Sequence, residues 1–162
     1  MVDRNRIRER HRELSYVTGR FMTEHLIRVH RLFEGDLTAA IVLATVAQHS
    51  LQRYYDQVGR EAPGRFDPLL AADEHLPHLR TCNAMSVSAA TGVPRETVRR
   101  KARWLAQKGW LSIGERGRLS VVNGISRDFK DFDIETIERL LECMRATLRV
   151  LEGPAVAKRR GA

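Results

Sequence analysis

Two cysteines in 162 residues, Cys82 and Cys143, are too few to staple a fold, so a disulfide scaffold is excluded and reduced thiols are expected. Long apolar runs are missing too. The longest, "LTAAIVLATVA" (Leu37–Ala47), is about half of what a membrane span needs. The Arg-rich beginning carries no apolar leader core, so a cytoplasmic location is expected. The sequence has no nucleophile motif, no glycine loop that would cradle phosphate and no paired acid and base, and "GDLTAA" does not fit a phosphate loop, so no enzyme and no cofactor are expected. Internal repeats and low-complexity segments are lacking. "DEHLPHLRTC" offers His75, His78 and Cys82, but Pro77 breaks any helical pairing of the histidines, and no metal is expected. His25, His30 and His49 fall at no ligand spacing.

Positive charge is what the chain has in excess. The net charge is +8, and it is unevenly spread: +3 over residues 1–35, −2 over 36–92, +6 over 93–118 and +1 over 119–162. A basic protein that merely needs solubility has no reason to concentrate charge in 26 residues. "GVPRETVRRKARWLAQKGWL" (Gly92–Leu111) places Arg95, Arg99, Arg100, Lys101 and Arg103 within nine positions. Like charges one helical turn apart repel, which is tolerable where a polyanion lies against them.

Apolar spacing organises the rest. Ile7, Leu14, Val17, Phe21, Leu26, Val29 and Phe33 recur at helical steps, which predicts a helix over residues 4–34, broken near Gly19. Asp36 reads as the N-cap of a second helix reaching Val58, apolar nearly all round and hence central. "GREAPGRFDP" (Gly59–Pro68) reads as a loop, and Leu69–Asp73 as a short helical turn. A short helix over Ser86–Gly92 and the basic helix over Pro94–Lys108 follow, the latter stopped by Gly109. Val87, Ala90, Val93 and Val98 are expected to pin these two together. Leu111 and Ile113, then Leu119 and Val121, alternate around "GERG", which predicts a β-hairpin. "FDIETIERLLECMRATLRVLEG" (Phe132–Gly153) predicts a last helix capped by Asp133, with Ile134, Ile137, Leu141, Met144, Leu148 and Leu151 as its apolar seam.

On a wheel of about 100° per residue, Ala102 and Leu105 fall within about 40° of Val98. Glu96, Arg99, Arg100 and Arg103 occupy an arc of about 100° on the other side, and Arg95 projects from the first turn. One face is thus expected to lock into the domain and the other to enter a DNA major groove. There arginine can bond guanine O6 and N7, and a carboxylate can accept from cytosine N4, which makes Arg95, Glu96, Arg99 and Arg100 the expected base readers. Thr97, Lys101, Arg103 and Lys108 are the expected phosphate contacts. Arg116, Gly117 and Arg118 form the expected hairpin tip, placed to follow a minor groove.

"GVPRETVRR" resembles the recognition-helix signature G-x-S-R-E-T-V-x-R of the catabolite activator protein family. "WLAQKGWLSIGERGRLSVV" is similar to that family's helix end and wing, and to winged-helix regulators of the MarR and GntR types. The resemblance covers residues 86–122. It implies base reading by Arg95, Glu96 and Arg100 and a backbone contact by Thr97. Pro94 replaces the family's capping serine, and Arg99 replaces a small residue. Nothing before Ser86 is strand-rich, so the family's cyclic-nucleotide module is not expected. The helical flanks look more like the MarR arrangement, in which terminal helices build a dimer.

The sequence therefore predicts a mainly α protein. A winged helix-turn-helix with a small β-hairpin wing spans residues 70–123. Helical regions 1–58 and 124–153 flank it and dimerise, a loop covers 59–69, and a basic tail covers 154–162. The expected function is that of a bacterial-type transcription regulator, a homodimer on pseudo-palindromic double-stranded DNA, with no membrane partner. A winged-helix adaptor for an acidic protein, and a replication or partition protein, are the alternatives. A small-molecule effector would leave no motif; a pocket lined by Phe21, Tyr54, Tyr55 or Phe66 is where it would bind.

Overall fold

A computed structural model describes the backbone of residues 4–61, 81–122 and 124–153, and the side chains of these except 51–61. The described residues are mainly helical, with one small three-stranded antiparallel sheet. In chain order the elements are α1 (Arg4–Glu9), α2 (His11–Leu32), α3 (Leu37–Glu61), β1 (Cys82–Asn83), α4 (Ala84–Thr91), α5 (Arg95–Gln107), β2 (Leu111–Ile113), β3 (Arg118–Val121) and α6 (Ile125–Glu152). They divide into two compact units, Met1–Val29 with Lys130–Ala162, and His30–Phe129.

The His30–Phe129 unit holds nearly all of the buried apolar side chains. Its centre is α3, which packs on α4, α5 and β3. Asp36 caps α3 as expected, accepting from the Ala39 N–H at 2.9 Å. Ala39, Ala40, Val42, Leu43 and Val46 are buried, but Ile41 faces outward, so α3 has an apolar stripe and is not buried all round. The helix also runs through Gly59 to Glu61, where a loop was expected. The remainder of that loop, the Leu69–Asp73 turn and the side chains of Tyr54, Tyr55, Phe66, His75 and His78 lie outside the described residues.

The expected hairpin forms, with Leu111 opposite Val121 and Ile113 opposite Leu119. The sheet has a third strand, β1, which pairs Cys82 with Leu119 and Asn83 with Arg118, so β3 is central. Two residues are too short for an alternating pattern to register in sequence. Cys82 is buried there, and burial pushes its thiol pKa up, which suits an inert core thiol. An aromatic cluster closes the unit: the Trp110 ring lies 5.4 Å from Phe33, 5.0 Å from Phe129 and 6.1 Å from Trp104.

The other unit pairs α1 and α2 with α6. Gly19 does not break the first helix; the interruption is at Arg10, and the hydrogen bonds Arg10 N–H to Arg6 and Leu14 N–H to Arg10 carry the path across it. α6 begins at Ile125, seven residues before the expected start, so Asp133 lies inside the helix and is no cap. The acids that suggested a first turn belong to the helix body. Burial raises the Asp133 carboxyl pKa. Polar contacts join α2 to α6. Arg28 donates to the Phe132 carbonyl at 3.0 Å and to Thr136 Oγ1 at 3.1 Å, pairs with Glu135 at 3.0 Å, and its guanidinium lies 4.5 Å from the Phe132 ring centre. Arg139 bridges Glu24 and Glu135. Among the described residues of this unit, Leu14 is the one buried apolar side chain.

No helix among the described residues is long and apolar enough to cross a membrane.

Candidate nucleic-acid interface

The interface is built on α4, α5 and the hairpin. Asn83 caps α4, its Oδ1 accepting from the Met85 and Ser86 N–H groups at 2.9 and 3.0 Å, which starts the helix two residues before the expected point. Gly92 ends it with φ +72°, a left-handed conformation that costs a side-chain-bearing residue about 1 kcal/mol or more. The Val93 N–H donates to Thr91 Oγ1 at 3.2 Å and helps fix the turn. Pro94 then sets the start of α5 without a side-chain cap, as its missing hydroxyl requires. α5 ends in a paired closure around Gly109: Trp110 N–H to Leu105 C=O and Gly109 N–H to Ala106 C=O, both 3.0 Å.

Val98, Ala102 and Leu105 are all buried, so the inward face of α5 is the expected one. Val87 is also buried, but Ala90 is exposed and Val93 half-buried, so the helix pair is held by fewer residues than the spacing implied.

The basic residues fall into three groups. Arg95, Arg99 and Arg103 surround a cleft of about 260 Å³ whose far wall is the hairpin turn with Arg116 and Gly117. Arg95, Arg103 and Arg116 are exposed and have no ion partner among the described residues, whereas Arg99 pairs with Glu96. Arg100 and Glu96 are exposed, and Thr97 is half-buried. The last group leans the other way. Lys101 is bonded to Asp36, and Lys108 to Glu34, with its ammonium 5.3 Å from the Trp104 ring centre. Arg116 adopts φ +57° at the turn and Gly117 φ +70°. Arg118 is the first residue of β3, its carbonyl accepting from Gly114 N–H at 2.8 Å, so it stands at the base of the turn and not at its tip.

Spacing in sequence did not reveal the acid partners, since 65 residues separate Asp36 from Lys101 and 74 separate Glu34 from Lys108. Asn83, Met85 and Ile113, which also line the cleft, were missed. Asn83 carries a legible signal, an Asn directly before a helical run.

Burial alone would raise the Asp36 carboxyl; the Lys101 hydrogen bond, the Ala39 N–H and the charges of Lys101 and Arg100 outweigh it and hold the pKa below the ordinary value. A depressed carboxylate stabilises the fold fully above its unfolded pKa, near 3.9, and that share is lost as pH falls through the lower folded value. Asp36→Ala is expected to cost about 1–2 kcal/mol for the lost cap, and more for the Lys101 left alone. Asp36→Asn still caps and should cost less. Its deficit in thermal melts should close as pH drops below about 4; a deficit that stays constant to acid pH would mean that the carboxylate charge does not stabilise this helix start.

The chain was compared with known proteins. No family model, curated protein or solved structure matches it.

Proposed function

We propose that the chain is a sequence-specific double-stranded DNA-binding transcription regulator of the winged helix-turn-helix kind, acting as a homodimer. One observation carries the reading: Arg95, Arg99, Arg103 and Arg116 ring one open cleft between the exposed face of a locked helix and a hairpin turn. Four guanidiniums around one opening repel each other, and a phosphate backbone relieves that repulsion. α5 enters the major groove, with Arg95, Glu96, Arg99 and Arg100 at base edges. Arg103 and Thr97 contact phosphates, and Arg116 and Gly117 approach the minor groove. Lys101 is left out of the contacts because it holds Asp36. Lys108 is likewise paired, with Glu34, and is left out.

The dimer reading rests on the Met1–Val29 and Lys130–Ala162 unit, which exposes Met22, Leu26, Ile134, Ile137, Met144 and Leu148 and, among its described residues, buries only Leu14 of its apolar side chains. A helix-turn-helix gains affinity by occupying two half-sites about one DNA turn apart.

Selection from a random duplex library with the untagged protein at near-physiological salt tests the function. An enriched inverted repeat is the expected result. Retention without enrichment would replace sequence reading by backbone-only binding, and no retention would sink the DNA reading in favour of an acidic protein partner.

A further inference from the structure

α6 presents two separate faces. Phe132, Glu135, Thr136, Arg139 and Cys143 meet α2, the Cys143 Sγ lying 4.0 Å from the Val17 carbonyl. About 150° around the helix lies a second row, Ile134, Ile137, Leu141, Met144, Leu148 and Leu151. Its spacing is 3-4-3-4-3, the a and d positions of a coiled coil. Ile134 is 45% exposed, Ile137 56%, Leu141 43%, Met144 51% and Leu148 52%. The row runs for about 25 Å, exposed from Ile134 to Leu148 and half-buried at Leu151.

We infer that α6 of one copy covers this row with α6 of a second copy, running antiparallel; the inference rests on the reading of the chain as a homodimer. A two-fold axis between Leu141 and Met144 puts Leu141 on Met144 of the second copy, Ile137 on Leu148 and Ile134 on Leu151, so that every seam residue has a partner. The flanking positions decide the direction. Glu138 and Arg145 are exposed and have no ion partner among the described residues. Antiparallel pairing sets Glu138 against Arg145 of the other copy, twice, and Leu140 against Thr147, twice, where the threonine methyl can cover the leucine. Parallel pairing would set Asp133 against Glu138, Leu140 against Arg145 and Thr147 against Glu152, which opposes like charges, leaves each Leu140 beside an ion and makes no flanking ion pair. In the antiparallel form Asp131 and Glu152 approach each other beyond the last layers, in solvent, where screening is strong.

The test uses the full chain without DNA, in a Cys143→Ser background, with the parent carrying Cys82 as the blank. Ile134→Cys and Leu151→Cys chains are oxidised separately and as a mixture. The mixture is expected to give a covalent dimer, and Ile134→Cys alone is not, because its two sulfurs would lie about 25 Å apart. Efficient cross-linking of Ile134→Cys alone would make the pair parallel and overturn the inference. So would the absence of any cross-link in the mixture. Leu141→Glu, at a position exposed within one copy, should halve the mass measured by sedimentation while leaving the emission of Trp104 and Trp110 unchanged; an unchanged mass would also overturn it. A cross-linked dimer that retains no duplex DNA would sink the DNA reading and leave this seam standing. A monomer that still enriches a duplex sequence would do the reverse.

Discussion

Leu105→Ala is expected to lower the unfolding free energy by about 2–5 kcal/mol, toward the upper end of that range. Leu105 is fully buried and among the largest such side chains, on the face of α5 that also buries Val98 and Ala102. Its carbonyl closes the helix by accepting from Trp110 N–H, so collapse into the cavity would disturb the turn that starts the hairpin. Cavities next to such fixed points relax least, and the cost rises with the volume left empty. Urea titration followed by tryptophan emission measures it. A loss below about 1 kcal/mol would mean that α5 is not locked on its inward face, and the assignment of its outward face would fall with it.

Replacing Arg95, Arg103 and Arg116 together by alanine is expected to weaken specific duplex binding by about a hundredfold or more. Each guanidinium contact contributes about 1–3 kcal/mol, and about 1.4 kcal/mol is tenfold. Arg103 is the one of the three assigned to phosphate, so the slope of log affinity against log salt should fall in magnitude by about 0.9. A fall near about 2.7 would mean that all three neutralise phosphates and that Arg95 does not read a base. The three side chains are exposed, so the variant should keep its stability. Lys101→Ala makes the opposite contrast: it strands Asp36 and should reduce stability more than affinity. A triple variant that binds as well as the parent would remove the cleft from the DNA surface.

The inward seam of α5, the hairpin and the two closing glycines were legible because each is a local rule: helical spacing, alternation, and left-handed backbone after a helix. What the sequence hid is non-local. β1 exists because β3 offers it an edge, and two residues carry no period. The start of α6 was misplaced because Asp133 and Glu135 looked like a capped first turn, while the chain had already become helical after Gly124, at φ +85°. The fates of Lys101 and Lys108 depend on acids in the turn before α3, and no spacing along α5 announces them. The candidate cleft was legible as a set of residue types but not as an enclosure, since Asn83 and Met85 reach it from a separate element.

Both tryptophans of the chain, Trp104 and Trp110, belong to the His30–Phe129 unit, and their rings share one aromatic cluster. Emission is therefore a private optical channel for that unit, while the far-ultraviolet dichroism sums the helices of both units, including α1 and the bulk of α2 and α6, which carry no indole. Heating the protein and watching both signals separates two events that a single probe would merge. If the helical unit comes apart first, ellipticity falls while the emission spectrum holds still, and that first step shifts with protein concentration as a dimer requires. Trp104 lies on the basic helix and Trp110 just past its end, so under the proposed function duplex binding is expected to change the emission without a dye.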